Sequence, residues 1–346
     1  GPLYGSVGME DTVTAVQNHD HYNAPLSGKF QGRGVAAGFW GNGTGPSSAT
    51  ASVNPDGTVS LVEGSPDIGG TRASAAMHVA EVLGIRAEDI KPSIGDTDSV
   101  GFTSNTGGSS VTFKTGWASY TAAQDIKQQI IDRAAKEWDV SPDDVLYVGG
   151  VVKHKSDNAL TKTFKEIASQ LNASGGPIVG RATVNPRGQG ASFAIHVVDV
   201  EVDPETGKVD ILRYTAAQDV GQPIHPAYVE GQIQGGAVQG IGWALNEEYV
   251  IDDEGKMLNS TFLDYRLPIT LDVPEIETLL VTVPSPGHPF GARGVGEVPI
   301  VPPMAAVANA IYAATGVRMA ELPMSPGRVQ KAIEQRSRGL DDHSQS

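Results

Sequence analysis

The stretch Gly291-Ala-Arg-Gly-Val-Gly-Glu-Val-Pro299 places one carboxylate in a glycine-rich turn, directly ahead of an apolar helix predicted over 301–315. A rigid turn at the mouth of an apolar helix would desolvate the Glu297 carboxylate and raise its pKa toward the range of a general base. The alternative is that Glu297 caps the helix N-terminus, where a negative charge is favourable. The residues alone leave both interpretations open.

Glycine and small polar residues form three further loops with similar chemistry: Asp67-Ile-Gly-Gly-Thr71, Thr103-Ser-Asn-Thr-Gly-Gly-Ser-Ser110 and Gly188-Gln-Gly-Ala-Ser192. Glycine lets backbone N–H groups approach a ligand closely, and helix N-termini attract anions. Turn formation explains any single loop of this kind, but four together predict a cradle for an anionic cofactor. Gly41-Asn-Gly-Thr-Gly45 lacks the spacing of a dinucleotide fingerprint, and no loop carries the Gly-Lys-Ser/Thr of a P-loop.

Composition narrows the class of protein. The 346 residues include 42 Gly and no Cys, and 25 basic against 40 acidic residues give a net charge of −15. The charge argues against nucleic-acid binding, and no apolar run approaches the ~18 residues of a membrane span. The absence of Cys excludes disulfides, thiolate catalysis and iron–sulfur clusters ligated by this chain. The first ten residues show no signal-peptide pattern, so we expect a cytoplasmic protein.

The hydrophobic pattern alternates between the strand period of two and the helical period of 3.6. Strands are predicted over 48–53 and 58–63 (one hairpin), 90–94, 145–154, 192–202 and 208–215 (a second hairpin), near 250, and over 260–267 and 278–284. Helices are predicted over 72–83, 111–138, 162–171, 226–243, 301–315 and 326–335. This mixture predicts an α+β chain with two intertwined lobes. We assign an N-terminal extension or linker to 1–24, the two lobes to 25–180 and 181–336, and a flexible tail to 337–346.

Histidines contribute little to a predicted site. His19-Asp-His21 is the one close pair, and its polar N-terminal setting does not favour metal ligation. His225 directly precedes Pro226, which favours an anchor between loop and helix over a catalytic role.

Four stretches in register resemble the molybdenum hydroxylases, the xanthine dehydrogenase/aldehyde oxidase family. The stretch over 291–299 resembles that family's Gly-Val-Gly-Glu-Pro-Pro motif. The others are Asp56-Gly-Thr-Val with Asp67-Ile-Gly-Gly70, Thr106-Gly-Gly-Ser-Ser110, and Asp219-Val-Gly-Gln-Pro-Ile-His-Pro-Ala227 with Glu230-Gly-Gln-Ile-Gln-Gly-Gly-Ala-Val-Gln-Gly240. The similarity covers residues 25–335 and corresponds to the C-terminal half of the usual large subunit.

The resemblance implies a molybdopterin-binding domain of the xanthine dehydrogenase type. Such an enzyme hydroxylates an electron-poor carbon of an N-heteroaromatic or aldehyde substrate, with water as the oxygen source. Glu297 matches the active-site base, and Phe39 falls near a pocket aromatic that would stack on a flat substrate. The cofactor contacts match Gly69, Gly70, Thr71, Thr106, Ser109, Ser110, Thr112 and Gln232. The implied cofactor is molybdopterin or molybdopterin cytosine dinucleotide, whose dithiolene holds molybdenum, so no protein metal ligand is implied.

The resemblance also implies partners. [2Fe–2S] and FAD would lie on partner subunits, and another chain would carry the first molybdenum lobe. This chain is therefore expected to be a split subunit or processed half, active only in a heteromeric complex. It departs from the family pattern at Ile68-Gly-Gly-Thr71, where Met-Gly-Gln-Gly is usual, and at Val298, where proline is usual.

Two alternative functions stay open at this point. One is a non-catalytic structural half of such a complex, which the absent glutamine at Gly70 favours. The other is a glycine-rich module that binds a carbohydrate or a protein partner. The molybdenum and pterin content of the purified complex separates the enzyme from both.

Overall fold

The computed structural model describes residues 3–338, with only the backbone given for Thr97. The predicted tail over 337–346 lies outside the described residues except for its first two. The helices are α1 Met9–Gln17, α2 Asp20–Asn23, α3 Thr71–Leu83, α4 Thr97–Val100, α5 Val111–Trp138, α6 Phe164–Ser169, α7 Pro226–Leu245, α8 Pro302–Thr315 and α9 Pro326–Ser337. The strands are β1 Gln31–Gly41, β2 Ser47–Val53, β3 Val59–Glu63, β4 Ile90–Ile94, β5 Val145–Val148, β6 Val151–His154, β7 Thr161–Thr163, β8 Val179–Val184, β9 Ala191–Val202, β10 Val209–Asp219 and β11 Ile276–Val281.

Sheet A consists of four strands in the order β1-β9-β10-β11, antiparallel except for the pair β10–β11. Helix α8 packs on one face of this sheet, and α7 joins the same hydrophobic core. Helix α1 packs on the opposite face against Val35, Ile195 and Val197. Residues 9–23, predicted as an extension or linker, thus form α1 and α2, and α1 covers one side of the sheet.

Glycines in β1 allow α8 to approach the strand backbone. A Cβ added at Gly34 would overlap the backbone at Ala306 and Ala310 of α8, whereas nothing lies within 4 Å of a Cβ at Gly41. Close contact between strand and helix, rather than turn formation, therefore explains Gly34.

We expect Gly34→Ala to lower the free energy of unfolding by about 3 kcal/mol, because backbone atoms of α8 cannot move aside as a flexible side chain can. Gly41→Ala in the same strand is the matched control, with an expected change within about 0.5 kcal/mol. Urea unfolding of the full chain measures both. Equal midpoints for the two variants would contradict the proposed close contact.

Sheet B has the order β4-β3-β2-β8, and a small antiparallel sheet C is formed by β5, β6 and β7. Helices α3 and α5 cover sheet B and share one core with it, in which Leu61, Val79 and Ile126 are completely buried. The chain leaves sheet A after β1, builds sheets B and C, and returns to sheet A at β9. The predicted α+β fold with intertwined lobes is confirmed.

Local signals predict most elements well. Both hairpins form, with β2 pairing with β3 and β9 pairing with β10 in antiparallel register. Helix α5 spans the predicted 111–138, and α3 ends at the predicted position 83, where Gly84 caps it in the left-handed conformation.

The connector over 246–275, between α7 and β11, differs from the prediction. The strands predicted near 250 and over 260–267 are wrong, since one isolated bridge between Ile251 and Met257 is the β-pairing described there. The last predicted strand is β11, which begins at Ile276 rather than at 278. Apolar residues of the connector point to solvent, with Phe262 and Leu263 each 92% exposed. An apolar pair that faces solvent on both sides of the chain is not the pattern of a half-buried strand.

Contrary to the expectation from the sequence, one stretch among the described residues, Val298–Thr315, is long and apolar enough to cross a membrane by length and composition, and 44% of it is buried inside the protein. Its helical part is α8, whose Ala306, Val307, Ala310 and Ile311 pack in the core with sheet A and α7. Burial in this core accounts for the apolar character of the stretch.

Candidate cofactor cavity and active site

A cavity of about 250 Å³ lies where the N-termini of α3, α5 and α7 converge. These three helices begin at Thr71, Val111 and Pro226, and none carries an acidic side chain in its first turn. The first turn of a helix presents free N–H groups and the positive end of the helix dipole. Three such ends around one cavity create a site for an anionic group in a chain whose net charge is −15.

Two hydroxyl groups in the cavity wall lack partners. Thr106 Oγ1 and Ser110 Oγ are buried, and neither has a hydrogen-bond partner among the described residues. Ser110 is also the N-cap residue of α5, but its side chain makes no capping hydrogen bond. Because buried hydroxyls are normally satisfied, these two atoms indicate a polar ligand in the cavity.

The loop ahead of α3 lies directly against α7. Gly69 and Gly70 both have positive φ angles, 59° and 81°. A Cβ at Gly69 would lie 2.5 Å from the side-chain amide of Gln232, and a Cβ at Gly70 would overlap the ring of Tyr228. A glutamine at position 70, which is usual in the family, would therefore be strained by the left-handed backbone and would need the Tyr228 ring to move.

Glu297 lines the same cavity and is half-buried. Its Oε2 accepts hydrogen bonds from Ser109 Oγ at 2.8 Å and from Trp40 Nε1 at 3.2 Å, and no partner is described for Oε1. Its backbone N–H donates to Ser109 Oγ at 3.1 Å. Glu297 occupies the N-cap position of a short 3-10 helix at Val298–Ile300, but its side chain makes no capping hydrogen bond. Glu297 therefore stands at the start of a helical turn without capping it by a hydrogen bond, and its carboxylate is held by Ser109 and Trp40 instead.

Ser109, which binds the Glu297 carboxylate, has a strained backbone conformation. Its φ of 54° is one of two positive values among the described non-glycine residues, the other being that of Asp139. Its carbonyl oxygen accepts a hydrogen bond from Gln189 Nε2 at 3.1 Å, which fixes the loop from the opposite side. Strain held by surrounding contacts is typical of functional sites.

The loop that carries Glu297 is anchored by a buried ion pair. Arg293 Nη1 lies 2.8 Å from Asp219 Oδ2, and both side chains are essentially inaccessible. Asp219 also accepts hydrogen bonds from the backbone N–H groups of Gly8 and Gly221, each at 3.1 Å. Arg293 Nη1 further donates to the carbonyl of Ala191 at 2.5 Å. The pair thus joins the N-terminal segment, sheet A and the Glu297 loop.

Aromatic contacts hold the same loop to α3 and α5. His288 packs edge-on against His78, and Trp117 Nε1 donates to the carbonyl of Gly287 at 3.0 Å. Burial lowers the pKa of His288 to about 3 and that of His78 to about 4, so both rings are neutral at pH 7. Neutral His288 accepts hydrogen bonds through Nδ1 from the backbone N–H groups of Phe290 and Ala292.

Most residues predicted for the site come together in this cavity. Its wall includes Gly69, Thr71, Thr106, Ser109, Ser110, Thr112, Gln232 and Glu297, and Gly70 lies in the adjacent loop under Tyr228. His225 is the N-cap of α7, where its Nδ1 accepts from the backbone N–H of Tyr228, which confirms the predicted anchor role.

Phe39 does not line the cavity. It lies on the face of β1 opposite Trp40, half exposed, near Tyr4 and Phe193 with ring centroids at 6.4 and 5.5 Å. Trp40 instead reaches Glu297. Successive side chains of a strand point to opposite faces, and this alternation is the sequence signal that distinguishes Trp40 from Phe39. Tyr228, which stacks on His225 at 3.8 Å, carries no comparable signal in the sequence.

Outside the cavity, His19, Asp20 and Glu277 bring potential metal-ligand atoms within 4.8 Å of one another. The guanidinium of Arg213 already contacts both carboxylates, at 3.1 Å from Asp20 and 3.2 Å from Glu277. A positive charge is thus present at this cluster without an added ion.

Comparisons with known proteins agree with this geometry. Residues 11–274 match the molybdopterin cofactor-binding domain family. The chain is 31% identical over 312 residues to the xanthine dehydrogenase molybdenum-binding subunit of Escherichia coli O157:H7, covering 86% of this chain and 41% of that protein. It is 32% identical over 292 residues to subunit gamma of the 6-hydroxypseudooxynicotine dehydrogenase complex of Paenarthrobacter nicotinovorans, covering 80% of this chain and 36% of that protein.

Among solved structures, reconstituted CO dehydrogenase from Oligotropha carboxidovorans superimposes with a TM-score of 0.81 at 28% identity, covering 90% of this chain and 41% of that chain. This chain therefore spans well under half the length of the proteins it matches.

Proposed function

This chain belongs to the molybdenum hydroxylase family, and we propose that it is the molybdopterin-binding part of an oxidoreductase that hydroxylates an electron-poor carbon of an N-heteroaromatic or aldehyde substrate. The observation that carries the proposal is the cavity itself. Three acid-free helix N-termini, two unpartnered hydroxyls and one carboxylate meet in it. The oxygen inserted into the substrate would come from water.

The residues present fit an anionic, hydrogen-bonding cofactor, either molybdopterin or its cytosine dinucleotide. Phosphate oxygens would accept from the free N–H groups at the helix N-termini and from the hydroxyls of Thr106 and Ser110. Gly69, Gly70, Thr71, Ser109, Thr112 and Gln232 would form the rest of the contact surface. The bound cofactor would supply the two-electron chemistry of molybdenum, for which this chain needs no metal ligand of its own.

Glu297 is proposed as the general base. Ser109 and Trp40 both donate to Oε2, and this fixes the carboxylate while Oε1 stays without a donor from the described residues. A carboxylate oxygen oriented in this way can accept the proton of the water-derived oxygen that attacks the substrate carbon. Val298, where the family usually has proline, lies in the 3-10 turn behind Glu297 and is 1% exposed.

Partner polypeptides are proposed to complete the enzyme. [2Fe–2S] clusters are bound by cysteine, and this chain has none, so clusters and FAD would lie on partner subunits. The connector over 246–275 is the proposed docking surface for the polypeptide that carries the rest of the relatives' length. Phe262, Leu263 and Leu271 are more than 90% exposed there. Eight acidic and two basic residues surround them, which matches an apolar partner surface with a basic rim. A cytoplasmic location stays a prediction.

The full chain, purified with its partner subunits, tests the proposal. We expect about one molybdenum and one pterin per copy of the chain, and turnover of purines, nicotinate-like rings or aldehydes with an artificial electron acceptor. A Thr106→Val/Ser110→Ala variant should retain less cofactor, because it lacks both unpartnered hydroxyls. A fully assembled complex without molybdenum and pterin would rule out the enzyme and leave the structural half or the binding module.

A further inference from the structure

Lys114 is a completely buried basic residue one turn inside α5. Among the described residues, Arg293 is the other buried cation, and Asp219 neutralises it at 2.8 Å. The Lys114 ammonium group makes no ion pair within 4.0 Å in the described part of the chain. The protein therefore holds one buried positive charge without a nearby counterion.

The contacts of Lys114 place this charge behind the cavity wall. Its Nζ lies 2.8 Å from the carbonyl oxygen of Ser104, from Ser104 Oγ and from the carbonyl oxygen of Asn105. The next residue, Thr106, lines the cavity and carries one of the unpartnered hydroxyls. Three acceptors satisfy the three N–H groups of the ammonium ion but bring no negative charge.

A buried charge is costly unless an opposite charge offsets it. The neighbouring helix N-termini are themselves electropositive and add to the imbalance. The carboxylate in the cavity, Glu297, is held by Ser109 and Trp40 rather than by Lys114. Within 4.0 Å of the Lys114 ammonium group the described protein offers no carboxylate, which points to an anion in the cavity as its counter-charge.

We propose that Lys114 is the electrostatic anchor for the pyrophosphate of the ligand, acting from behind the loop over 103–110 without touching the ligand. It is a positioning residue, and the proposal rests on the proposed function only in placing a phosphate-bearing ligand in the cavity. A charge in a low-dielectric interior acts over a longer range than a surface lysine, whose effect is screened by water and salt.

Inorganic pyrophosphate and the full chain, purified without molybdenum, provide a test that does not depend on turnover. Lys114→Met removes both the charge and the hydrogen bonds, whereas Lys114→Gln removes the charge but keeps an amide donor for the loop. Lys136→Met, an exposed position near the far end of α5, is the control for net charge. Titration calorimetry at low and moderate salt gives the affinities, and circular dichroism with a thermal midpoint shows whether each variant folds.

We expect both Lys114 variants to bind pyrophosphate about tenfold more weakly than the unchanged chain, with a weaker dependence on salt, and Lys136→Met to bind within about twofold. Wild-type affinity in Lys114→Gln would overturn the proposal, because it would show that hydrogen bonding to the loop is sufficient. If the unchanged chain fails to bind pyrophosphate, the anchor is also refuted. Molybdenum content of the assembled complex then shows separately whether the proposed function survives.

Discussion

Replacing Glu297 by glutamine is expected to lower turnover of the assembled enzyme by about 10³-fold while its molybdenum content stays unchanged. The amide oxygen can still accept from Ser109 and Trp40, so the loop and the cavity keep their shape. The amide cannot accept the proton, because it lacks the basicity of a carboxylate. Steady-state turnover with an artificial electron acceptor and metal analysis of the same sample measure the two quantities.

Glu230→Gln is the matched control, since Glu230 is exposed on α7 and does not line the cavity. Its turnover should stay within about twofold of the unchanged enzyme. Turnover of Glu297→Gln equal to that of the control would remove Glu297 from the role of base. A loss of molybdenum from Glu297→Gln would assign the residue to cofactor retention instead.

Replacing Asp219 by asparagine is expected to lower the free energy of unfolding by about 3–5 kcal/mol, because Arg293 would keep a buried charge without a counterion. The asparagine oxygen can still accept one of the N–H groups of Gly8 and Gly221, so the loss reports mainly on charge. Urea unfolding of the full chain measures the change. Addition of Arg293→Met to Asp219→Asn should restore part of the stability, since it removes the unpaired cation.

Asp210→Asn in the same strand is the control for this prediction. Asp210 pairs with Lys208 at 2.7 Å on the surface, where an ion pair contributes at most about 1 kcal/mol. Equal losses in Asp219→Asn and Asp210→Asn would show that the buried pair does not anchor the Glu297 loop.

The parts of the fold that were predictable rest on local signals. The helix over 111–138 has apolar residues at helical spacing, and the hairpin at 48–63 turns at Asn54 and Gly57, so both follow from residues close in sequence. Strand β1 was not predictable in this way. Its glycines are typical of loops in the sequence, and what explains Gly34 is the close approach of α8, about 270 residues further along the chain.

The site, like the fold, was predictable only where the signal lies in residues close together in the sequence. The glycine and hydroxyl loops were recognisable because their residue types suit an anionic ligand, and the family resemblance aligned them with Glu297. Trp40 could be recognised only with β1, whose alternation turns its side chain toward Glu297 and which the predicted strands do not include. Lys114 was not recognisable, because its role depends on which way its side chain points beneath a loop. The apolar residues of the connector predict strands, because nothing in the sequence states that their side chains face outward.

The pairing of β1 with β9 has a consequence for the order in which the protein folds during synthesis. Gly41 pairs with Ala191 and Gln31 with Glu201, so β1 waits for a partner at least 150 residues downstream. At about 5–20 residues per second, the ribosome needs on the order of 10 s to supply it. Sheet B is complete once β8 has emerged at Val184, seven residues before β9 begins at Ala191, so β1 has no partner throughout the synthesis of sheet B. The nascent chain therefore carries an unpaired, aggregation-prone strand until β9 emerges, which is the state that a chaperone would have to protect.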